Sequence, residues 1–406
     1  MGERIELPLE LDDFDVISSE LIDGVLEVHV ESMFPAACAH CGSVAVAGHG
    51  RNRRRLRDRS RGCPTVLMWH QRRFRCRDCG RTSRERHPGV CGRRAITNRF
   101  RRQLFAEAVR RPFTDVAADH GVSSYRVVEA FDAYAHTAVG DVGRPRVLAL
   151  DESAFRRGWL YHTVLFDAEA RRALDVMDGR DQWAAQQLLG GLTSQVRAGV
   201  ETVVIDCHWP YRKAIEEVLP GARIVADKFH VLRAVGDAAQ RVRRRQGSKL
   251  KKDPTRHGAA SYHHSRRLFL RSRWAFARRC DSLTEDDRAT LAALFRAAPE
   301  VAVAYWMKEA FFATYDAPTR EEAERRLGVW EANLKAARLR ELTQLWGNLQ
   351  RWREPILAYF DDRQTNALAE GLTNKIKVMK RRGYGHRNER RYRARILLTC
   401  GRRPTS

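Results

Sequence analysis

Two short apolar runs, each followed by a carboxylate, decide the fold of this chain. Residues 147–151 read Val-Leu-Ala-Leu-Asp, and residues 202–206 read Thr-Val-Val-Ile-Asp. Runs of this length and composition are typical of buried strands, and a helical pattern lies between them. In such an alternating arrangement, neighbouring parallel strands bring their carboxyl ends to one edge of a sheet. We therefore expect Asp151 and Asp206 to lie side by side.

The chain around these runs continues the alternation. Apolar runs at residues 160–166, 172–177 and 223–225 predict further strands, and helical patterns cover residues 182–192 and 211–219. Two aspartates on adjacent strands, completed by an acid from a later helix, are the layout of the RNase H-like α/β fold. The sequence thus predicts a catalytic domain of that class.

Glu370 is the best candidate for the third acid. It lies in residues 365–375, a polar and helix-compatible segment that basic residues follow directly. Three carboxylates offer the hard oxygen ligands that two Mg²⁺ ions, about 3.5–4 Å apart, need for phosphodiester chemistry. Each acid also has an ordinary alternative: Asp151 could cap a loop, Asp206 could lie in a turn, and Glu370 could be a surface residue.

The charge of the chain indicates a nucleic acid partner. Its 406 residues carry a formal net charge of +24, from 74 Lys and Arg against 50 Asp and Glu. The basic residues cluster at residues 51–61, 72–86, 241–252 and 375–395. Such clusters neutralise phosphates and release counterions. A general arginine bias on solvated faces accounts for part of the excess, but not for clusters beside the motifs.

The same composition bears on location. The sequence contains no run of about 18 apolar residues, and its first residues lack the apolar core of a signal peptide. The nine cysteines therefore point to metal binding or free thiols rather than to disulfides. We expect a cytoplasmic bacterial protein that joins the nucleoid when bound to DNA, with no membrane partner.

Two C-x-x-C pairs, each followed by glycine, predict a zinc site. Its ligands are Cys38, Cys41, Cys76 and Cys79. Zn²⁺ takes four thiolates at tetrahedral corners, and the glycines permit the positive φ that each knuckle needs. With all four positions committed to cysteine, the zinc is expected to be structural. The alternatives are a redox pair and a site in which a histidine replaces one cysteine; these histidines are His40, His49 and His87.

Residues 113–128 have the layout of a helix-turn-helix. Thr114 is placed to cap a short first helix, Ala117 is small where two helices would cross, and Gly121 suits the turn. The alternative is a plain helical hairpin in a core, because patterns of this kind misfire often.

The second helix of this motif would present its first residues to DNA. Ser123 or Ser124 is placed to cap it. Ser124, Tyr125 and Arg126 then stand at the end that reaches base edges in the major groove. We take these three residues as candidate DNA-binding residues.

Asp227 and His230 follow the strand predicted at residues 223–225 and are candidate accessory residues. They would lie near the same sheet edge, where they could position DNA or a water. The ordinary alternative is an aspartate that starts a helix and a partly buried histidine.

A chain of this length is expected to form two to four structural units. The patterns predict a multidomain α+β protein with a zinc-ribbon-like N-terminal unit, a helix-turn-helix, and an RNase H-like α/β catalytic domain interrupted by an all-helical insertion. The predicted segments are residues 1–90 (strands and zinc unit), 91–142 (helix-turn-helix), 143–232 (catalytic domain, first part), 233–360 (helical insertion) and 361–406 (final catalytic part with Glu370).

Over nearly its full length, the sequence resembles the ISL3 (ISL-three) family of bacterial insertion-sequence transposases. The similar segments are Cys38-x-x-Cys41-Gly42, Arg72-Arg73-Phe74-Arg75-Cys76, Leu150-Asp151-Glu152, Ile205-Asp206-x-x-x-Pro210-Tyr211, Ala226-Asp227-x-Phe229-His230-Val231, Glu370-Gly371-x-x-Asn374-x-Ile376-Lys377, Lys380-Arg381-x-Gly383-Tyr384-Gly385-x-Arg387-Asn388 and Arg393-x-Arg395-Ile396-Leu397.

The resemblance implies a DDE triad of Asp151, Asp206 and Glu370, dependence on Mg²⁺ with Mn²⁺ as a substitute, and recognition of terminal inverted repeats. It also implies that a helical insertion in the RNase H fold separates the second aspartate from the glutamate. His386 and Glu389-Arg390 stand where the family usually has aromatic residues, which bears on C-terminal packing and not on the metal site.

The predicted function is therefore transposition: DNA cleavage and strand transfer by an enzyme that works on double-stranded DNA as a homodimer or larger assembly. The residues expected to hold the DNA backbone near the site are Lys375, Lys377, Lys380 and Arg381. Two rival functions remain at this point. One is a zinc-finger and helix-turn-helix transcriptional regulator without catalysis, and the other is an RNase H-like nuclease that cuts but never joins strands.

Overall fold

The computed structural model describes residues 14–60, 62–91, 95–156, 160–252, 259–383 and 388–401. The chain forms two compact units. One comprises residues up to Gly140 together with Met379–Thr399, and the other comprises Asp141–Val378 with Cys400–Arg402.

The first unit begins with a five-stranded sheet. Its strands are β1 (Phe14–Ile22), β2 (Val25–Ser32), β3 (Val46–Asp58), β4 (Thr65–Cys76) and β5 (Thr82–Arg84). The order is β1-β2-β4-β3, with β5 beside β4; β2 and β4 are parallel and the other pairs are antiparallel. Val28, Val30, Leu56 and Trp69 fill the core on one face of this sheet.

Three helices follow in the same unit: α1 (Asn98–Arg110), α2 (Phe113–Asp119) and α3 (Ser124–Ala135). Gly121 takes the turn between α2 and α3 with a φ of +57°, and Ala117 is buried, as the helix-turn-helix pattern predicts. The prediction for Thr114 is wrong. It lies inside α2, because the helix already begins at Phe113, with Pro112 as an N-cap that makes no side-chain hydrogen bond.

An arginine from the sheet of the first unit fixes the turn of this motif. The guanidinium of Arg57 on β3 donates to the carbonyls of His120 (2.6 Å) and Gly121 (3.2 Å). Next to it, the buried carboxylate of Asp58 accepts from Thr97 Oγ1 at 2.6 Å and from Arg99 Nε at 2.8 Å. Charged hydrogen bonds of this kind are about twice as strong as neutral ones, so the sheet and the helices are firmly joined.

The last helix of the chain, α16 (Glu389–Cys400), belongs to this unit as well. Arg395 is buried and donates to the carbonyls of Ala108 (2.8 Å) and Arg111 (3.3 Å), where α1 ends. Its guanidinium also stacks 4.5 Å from the ring of Phe113. A cation at a helix C-terminus satisfies carbonyls that have no partner in the helix. Burial lowers the pKa of Arg395 to about 10.

We expect Arg395→Ala to lower the unfolding free energy of this unit by about 2–4 kcal/mol, because two carbonyls lose their donor and a cavity forms. Amide exchange across α1–α3 in the full-length protein measures the change. Arg102→Ala is the matched control, since Arg102 is exposed on α1. Equal protection in both variants would show that α16 does not support the motif.

The second unit is built on a mixed sheet of β6 (Val147–Arg156), β7 (Leu160–Asp167), β8 (Arg172–Asp178), β9 (Thr202–Ile205) and β10 (Arg223–Ala226). The order is β10-β9-β6-β7-β8. Strands β10, β9 and β6 run parallel, whereas β7 and β8 pair antiparallel. Helices α4 (Gln182–Gly190), α5 (Ser194–Ala198) and α6 (Trp209–Val218) connect β8 through β9 to β10. Each strand predicted in this region is confirmed.

Helices make up the rest of this unit. They are α7 (Lys228–Lys252), α8 (Ala259–Ala277), α9 (Glu285–Ala297), α10 (Pro299–Thr314), α11 (Arg320–Ala337), α12 (Arg340–Leu349), α13 (Arg353–Leu357), α14 (Tyr359–Asp362) and α15 (Ala367–Arg382), whose residues from Met379 onward belong to the first unit. Buried aromatic rings hold them together; those of Trp330 and Trp346 lie 5.2 Å apart. The helical prediction for residues 233–360 is confirmed where the structure describes them, with residues 253–258 outside the described residues, although the first helix already begins at Lys228.

Among the described residues, no helix is both long enough and apolar enough to span a membrane.

Candidate functional site

The parallel pairing of β6 and β9 brings the first two predicted acids to one edge of the sheet. Leu150 pairs with Ile205 at the end of the ladder, and Asp151 and Asp206 are the next residue on each strand. One expectation needs correction: β6 does not end at its aspartate but continues to Arg156, paired with β7. The strand continues because the antiparallel partner β7 still supplies hydrogen bonds after the parallel one has ended.

Asp151 is the most enclosed of the three predicted acids, with 9% of its surface exposed. Burial raises its pKa, and the neighbouring charge of Asp206 raises it further. Two hydrogen bonds act in the opposite direction. Thr373 Oγ1 donates to Oδ2 at 2.7 Å, and the backbone N–H of Glu152 donates to Oδ1 at 2.7 Å.

Thr373 places helix α15 against this edge, and Glu370 lies on the same helix one turn earlier. Residues three and seven apart share a helix face, so Glu370, Thr373 and Lys377 line one side of α15. Lys377 is close enough to lower the pKa of Asp151 by its charge. The carboxylate of Glu370 is exposed, and among the described residues it makes no hydrogen bond or ion pair with either aspartate.

His230 links Asp206 to a third aspartate. Its Nδ1 lies 2.8 Å from Asp206 Oδ1 and 2.7 Å from Asp227 Oδ2. These two carboxylates raise the pKa of His230 to about 10, so the imidazole is a cation at neutral pH. The arrangement gathers the second aspartate and both candidate accessory residues into one cluster.

Asp227 also anchors the segment that leads into α15. Its Oδ1 accepts the backbone N–H of Asn366 at 3.0 Å, and both residues are buried. Although burial acts to raise the pKa of Asp227, the hydrogen bonds from His230 and Asn366 lower it, so this carboxylate is charged. The role of Asp227 in the fold is therefore to hold the start of α15 near the sheet edge.

The donor set at this edge suits a divalent cation. Mg²⁺ binds oxygen and prefers carboxylates. Two carboxylates, those of Asp151 and Asp206, come directly after the parallel pairing of β6 with β9 ends. Oδ1 of Asp206 is buried and accepts no well-directed hydrogen bond, although the His230 imidazole is beside it. A buried carboxylate oxygen with spare acceptor capacity is what a hard metal ion uses.

A second cluster lies in the first unit, where the four predicted zinc ligands come together. The sulfur atoms of Cys38, Cys41, Cys76 and Cys79 all lie within 4.8 Å of one another. The two knuckles repeat the same backbone pattern: Gly42 N–H donates to the carbonyl of Cys38, and Gly80 N–H donates to the carbonyl of Cys76. Both glycines have positive φ, +75° and +67°, as the sequence predicts.

The spacing of these sulfur atoms fits zinc. With Zn–S bonds of about 2.3 Å, tetrahedral geometry sets the sulfur atoms about 3.8 Å apart. Cys38 Sγ lies 3.6 Å from Cys79 Sγ, and Cys41 Sγ lies 3.6 Å from Cys76 Sγ. Backbone N–H groups of Cys41 and His40 lower the pKa of Cys38 to about 6, which favours the thiolate that a metal requires.

The histidine alternatives for this site are not supported by the structure. The ring of His87 stacks on Phe14 at 3.9 Å, and its Nδ1 accepts the N–H of Gly89. Neither His40 nor His49 joins the cluster of cysteines found among the described residues.

The predicted DNA-binding residues lie on two helices. At the start of α3, Ser124 is exposed and Tyr125 is 72% exposed, while Arg126 pairs with Glu129 at 3.4 Å. The N-cap of α3 is Ser123, without a side-chain hydrogen bond. On α15, Lys375, Lys377 and Arg381 are exposed and Lys380 is half-buried. Residues Tyr384, Gly385 and Arg387, which resemble the family, and His386, which departs from it, lie outside the described residues.

Sequence reasoning missed two residues of the sheet edge, Thr373 and Asn366. The threonine stands three residues after Glu370, on the same helix face, and that spacing was the available signal. Asn366 acts through its backbone N–H, which side-chain chemistry cannot reveal.

Comparison with known proteins gives the family. The family model described as Transposase, that of the DDE-type ISL3 transposases, matches residues 148–396. The chain is 27% identical over 377 residues to the transposase for insertion sequence element IS1001 of Bordetella parapertussis, covering 87% of this chain and 86% of that protein. It is 25% identical over 273 residues to the transposase for insertion sequence element IS1557 of Mycobacterium tuberculosis, covering 64% of this chain and 61% of that protein. The chain belongs to the ISL3 family of insertion-sequence transposases.

Proposed function

We propose that this transposase binds the terminal inverted repeats of an insertion sequence and catalyses Mg²⁺-dependent DNA cleavage and strand transfer through Asp151, Asp206 and Glu370. The observation that carries the proposal is the hydrogen bond from Thr373 to Asp151. It ties the helix of the third acid to the sheet edge of the first two, across 222 residues of sequence.

The order β10-β9-β6-β7-β8 supports an RNase H-like catalytic domain, because it sets three parallel strands beside an antiparallel pair. On this proposal, the helical segment after His230 is an insertion between the second and third acids. The five segment boundaries drawn from the sequence remain predictions.

In the proposed reaction, Asp151, Asp206 and Glu370 would hold the Mg²⁺ ions. Bound there, the metal would supply activation of the attacking oxygen and stabilisation of the leaving oxygen of a phosphodiester. Thr373 keeps the Asp151 carboxylate oriented, and the His230 cation neutralises charge between two other carboxylates. Lys375, Lys377, Lys380 and Arg381 would contact the DNA backbone.

The first unit would recognise the element end. The residues at the start of α3, where Tyr125 is exposed, would contact base edges. The cysteine cluster would hold one structural Zn²⁺, since no position is left for a water or substrate. The arginines of β3 and β4 would then contact phosphates rather than bases.

The direct test incubates the full-length protein with a labelled element end, unlabelled target DNA and Mg²⁺. We expect hydrolysis at the end followed by a joined product, both absent when Mg²⁺ is left out. Hydrolysis without any joined product would leave the nuclease as the function. If the protein bound DNA but catalysed neither reaction, the transcriptional regulator would be the better assignment.

Thr373→Val tests the hydrogen bond that links the helix of Glu370 to the Asp151 carboxylate. Valine keeps the shape but removes the donor to Asp151, and loss of such a partner typically costs about 10- to 100-fold in metal affinity or activity. We expect the Mg²⁺ concentration for half-maximal cleavage to rise accordingly, with duplex binding unchanged. Thr343→Val is the control, because among the described residues the Thr343 hydroxyl on α12 bonds only the carbonyl of Leu339. An unchanged Mg²⁺ requirement would contradict this role.

A further inference from the structure

A groove of about 650 Å³ lies between α7 and α8, outside the acidic sheet edge. Its rim carries Arg244, Arg266, Arg273, Leu270 and Trp274. Arg244 stands about 24 Å along α7 from the start of that helix, at 1.5 Å per residue. The groove is therefore separate from the acids, but a continuous helix connects it to them.

The groove carries positive charge that the protein itself does not neutralise. Arg244, Arg266 and Arg273 are exposed, and among the described residues none of them pairs with a carboxylate. Asp237 is the one acid among the lining residues. The guanidinium of Arg243 lies beneath them, and burial together with the charges of Arg244 and Arg273 lowers its pKa. The packing of α7 against α8 holds these guanidinium groups close together, and a bound anion would reduce the repulsion between them.

An aromatic ring stands beside these charges. Trp274 is 67% exposed, and the guanidinium of Arg273 lies 4.9 Å from the centre of its ring. Leu270, one turn earlier on α8, is equally exposed. By contrast, Trp330 and Trp346 of the same helical segment are buried. An exposed indole next to guanidinium groups offers a surface on which a base can stack while its phosphates are neutralised.

Hydrogen bonds between α7 and α8 form the floor of the groove before any ligand binds. Arg243 is buried, donates from Nε to Gln240 at 2.7 Å, and also donates to the carbonyl of Phe269. Gln240 in turn donates to the carbonyl of Arg273 at 3.0 Å. Gly247 packs so closely on the ring of Phe269 that a Cβ would lie 3.1 Å from it. These contacts fix α7 against α8, so binding needs little rearrangement.

We propose that this groove binds a single-stranded segment of DNA, with an unpaired base stacked on Trp274 and its phosphates on Arg244, Arg266 and Arg273. The strand must be unpaired because both faces of a base in a duplex are already stacked. The inference rests on the proposed function, since a cut at an element end frees a strand whose terminal bases can separate from the complementary strand.

The test measures binding of the full-length protein, in buffer without Mg²⁺, to a labelled oligothymidylate and to a duplex of equal length. We expect Trp274→Ala to weaken single-strand binding by about 10-fold or more and to leave duplex binding almost unchanged. Trp274→Phe should restore most of the loss, because phenylalanine also stacks. Trp306→Ala, which removes another exposed tryptophan on α10, is the matched control.

The arginines give a second, independent measurement. Removing a phosphate contact on a single strand lowers the slope of log K against log salt concentration by about 0.7. Arg244→Ala with Arg273→Ala should therefore reduce that slope by about 1.4 on oligothymidylate. Arg288→Ala, an exposed arginine of α9, should leave it unchanged.

Two outcomes would overturn the proposal. Equal losses on single-stranded and duplex DNA would show backbone contact without base stacking. No loss on either DNA would mean that the groove serves another partner, such as an acidic protein surface. Failure of the proposed function would look different: the wild-type protein would bind the oligonucleotide through Trp274 but would not cut an element end in Mg²⁺.

Discussion

Asp151→Asn is expected to lower Mg²⁺-dependent cleavage of an element end by about a thousandfold or more. Asparagine keeps the size of the side chain but removes its negative charge, and a neutral amide holds a divalent cation poorly. The hydrogen bond from Thr373 to Oδ2 does not depend on that charge, so α15 should stay in place. The loss would therefore report on metal chemistry rather than on folding.

The measurement is single-turnover cleavage of a labelled end at saturating protein. Glu169→Gln is the control, because among the described residues this exposed acid of the same unit pairs only with Arg146 at the surface. Duplex affinity of the Asp151 variant should equal that of the wild type. If Asp151→Asn cleaved at the wild-type rate, the assignment of this acid would be wrong.

Cys76→Ser is expected to remove the zinc and with it the ordered structure of both knuckles. The free energy of binding structural zinc is about 10–16 kcal/mol at pH 7, and in small domains it is folding free energy. Cys76 ends strand β4, and its carbonyl accepts the N–H of Gly80, so losing the metal would loosen the end of β4 and the turn to β5.

Zinc content of the purified protein and protease protection of residues 38–80 measure this effect. We expect one zinc per wild-type chain and none in Cys76→Ser. Cys63→Ser is the control, since Cys63 packs against the sheet core and is not in the cysteine cluster. Wild-type protein that is free of zinc yet fully protected would contradict the structural role.

The sequence predicted the second unit well because its signals are local. Strand β9 spans Thr202–Ile205, as its apolar run indicates, and β10 differs by one residue. The two aspartates could be placed together because parallel strands end at a common edge. The cysteine knuckles could be predicted for a similar reason, since C-x-x-C spacing and a following glycine fix a local turn.

Long-range contacts and arginine-rich strands could not be predicted. Strand β3 reads as a basic stretch because arginine covers its exposed face, and its pairing with β4 is what makes it a strand. Nothing in the sequence shows that Arg395 reaches the end of α1, 284 residues away from Arg111. The contact of Thr373 with Asp151 is equally non-local. Such contacts depend on how whole elements pack, not on spacing.

The packing of α16 also changes how DNA binding by the first unit should be tested. A chain cut near residue 142 would lose Arg395 and its hydrogen bonds to the end of α1. Weak DNA binding by that fragment would then reflect damaged structure. Catalytic variants of the full-length chain separate binding from catalysis without this loss.

The proposed site of three acids is tested most directly with an element end that has a preformed 3′-hydroxyl, so that only strand joining remains. Wild-type protein and Glu370→Gln are incubated with this end, target DNA and Mg²⁺, and the joined product is measured beside duplex affinity. If Asp151, Asp206 and Glu370 form one site, we expect joining by the wild type, none by Glu370→Gln, and equal DNA binding by both. Joining by Glu370→Gln at the wild-type rate would contradict the claim that three acids form one site.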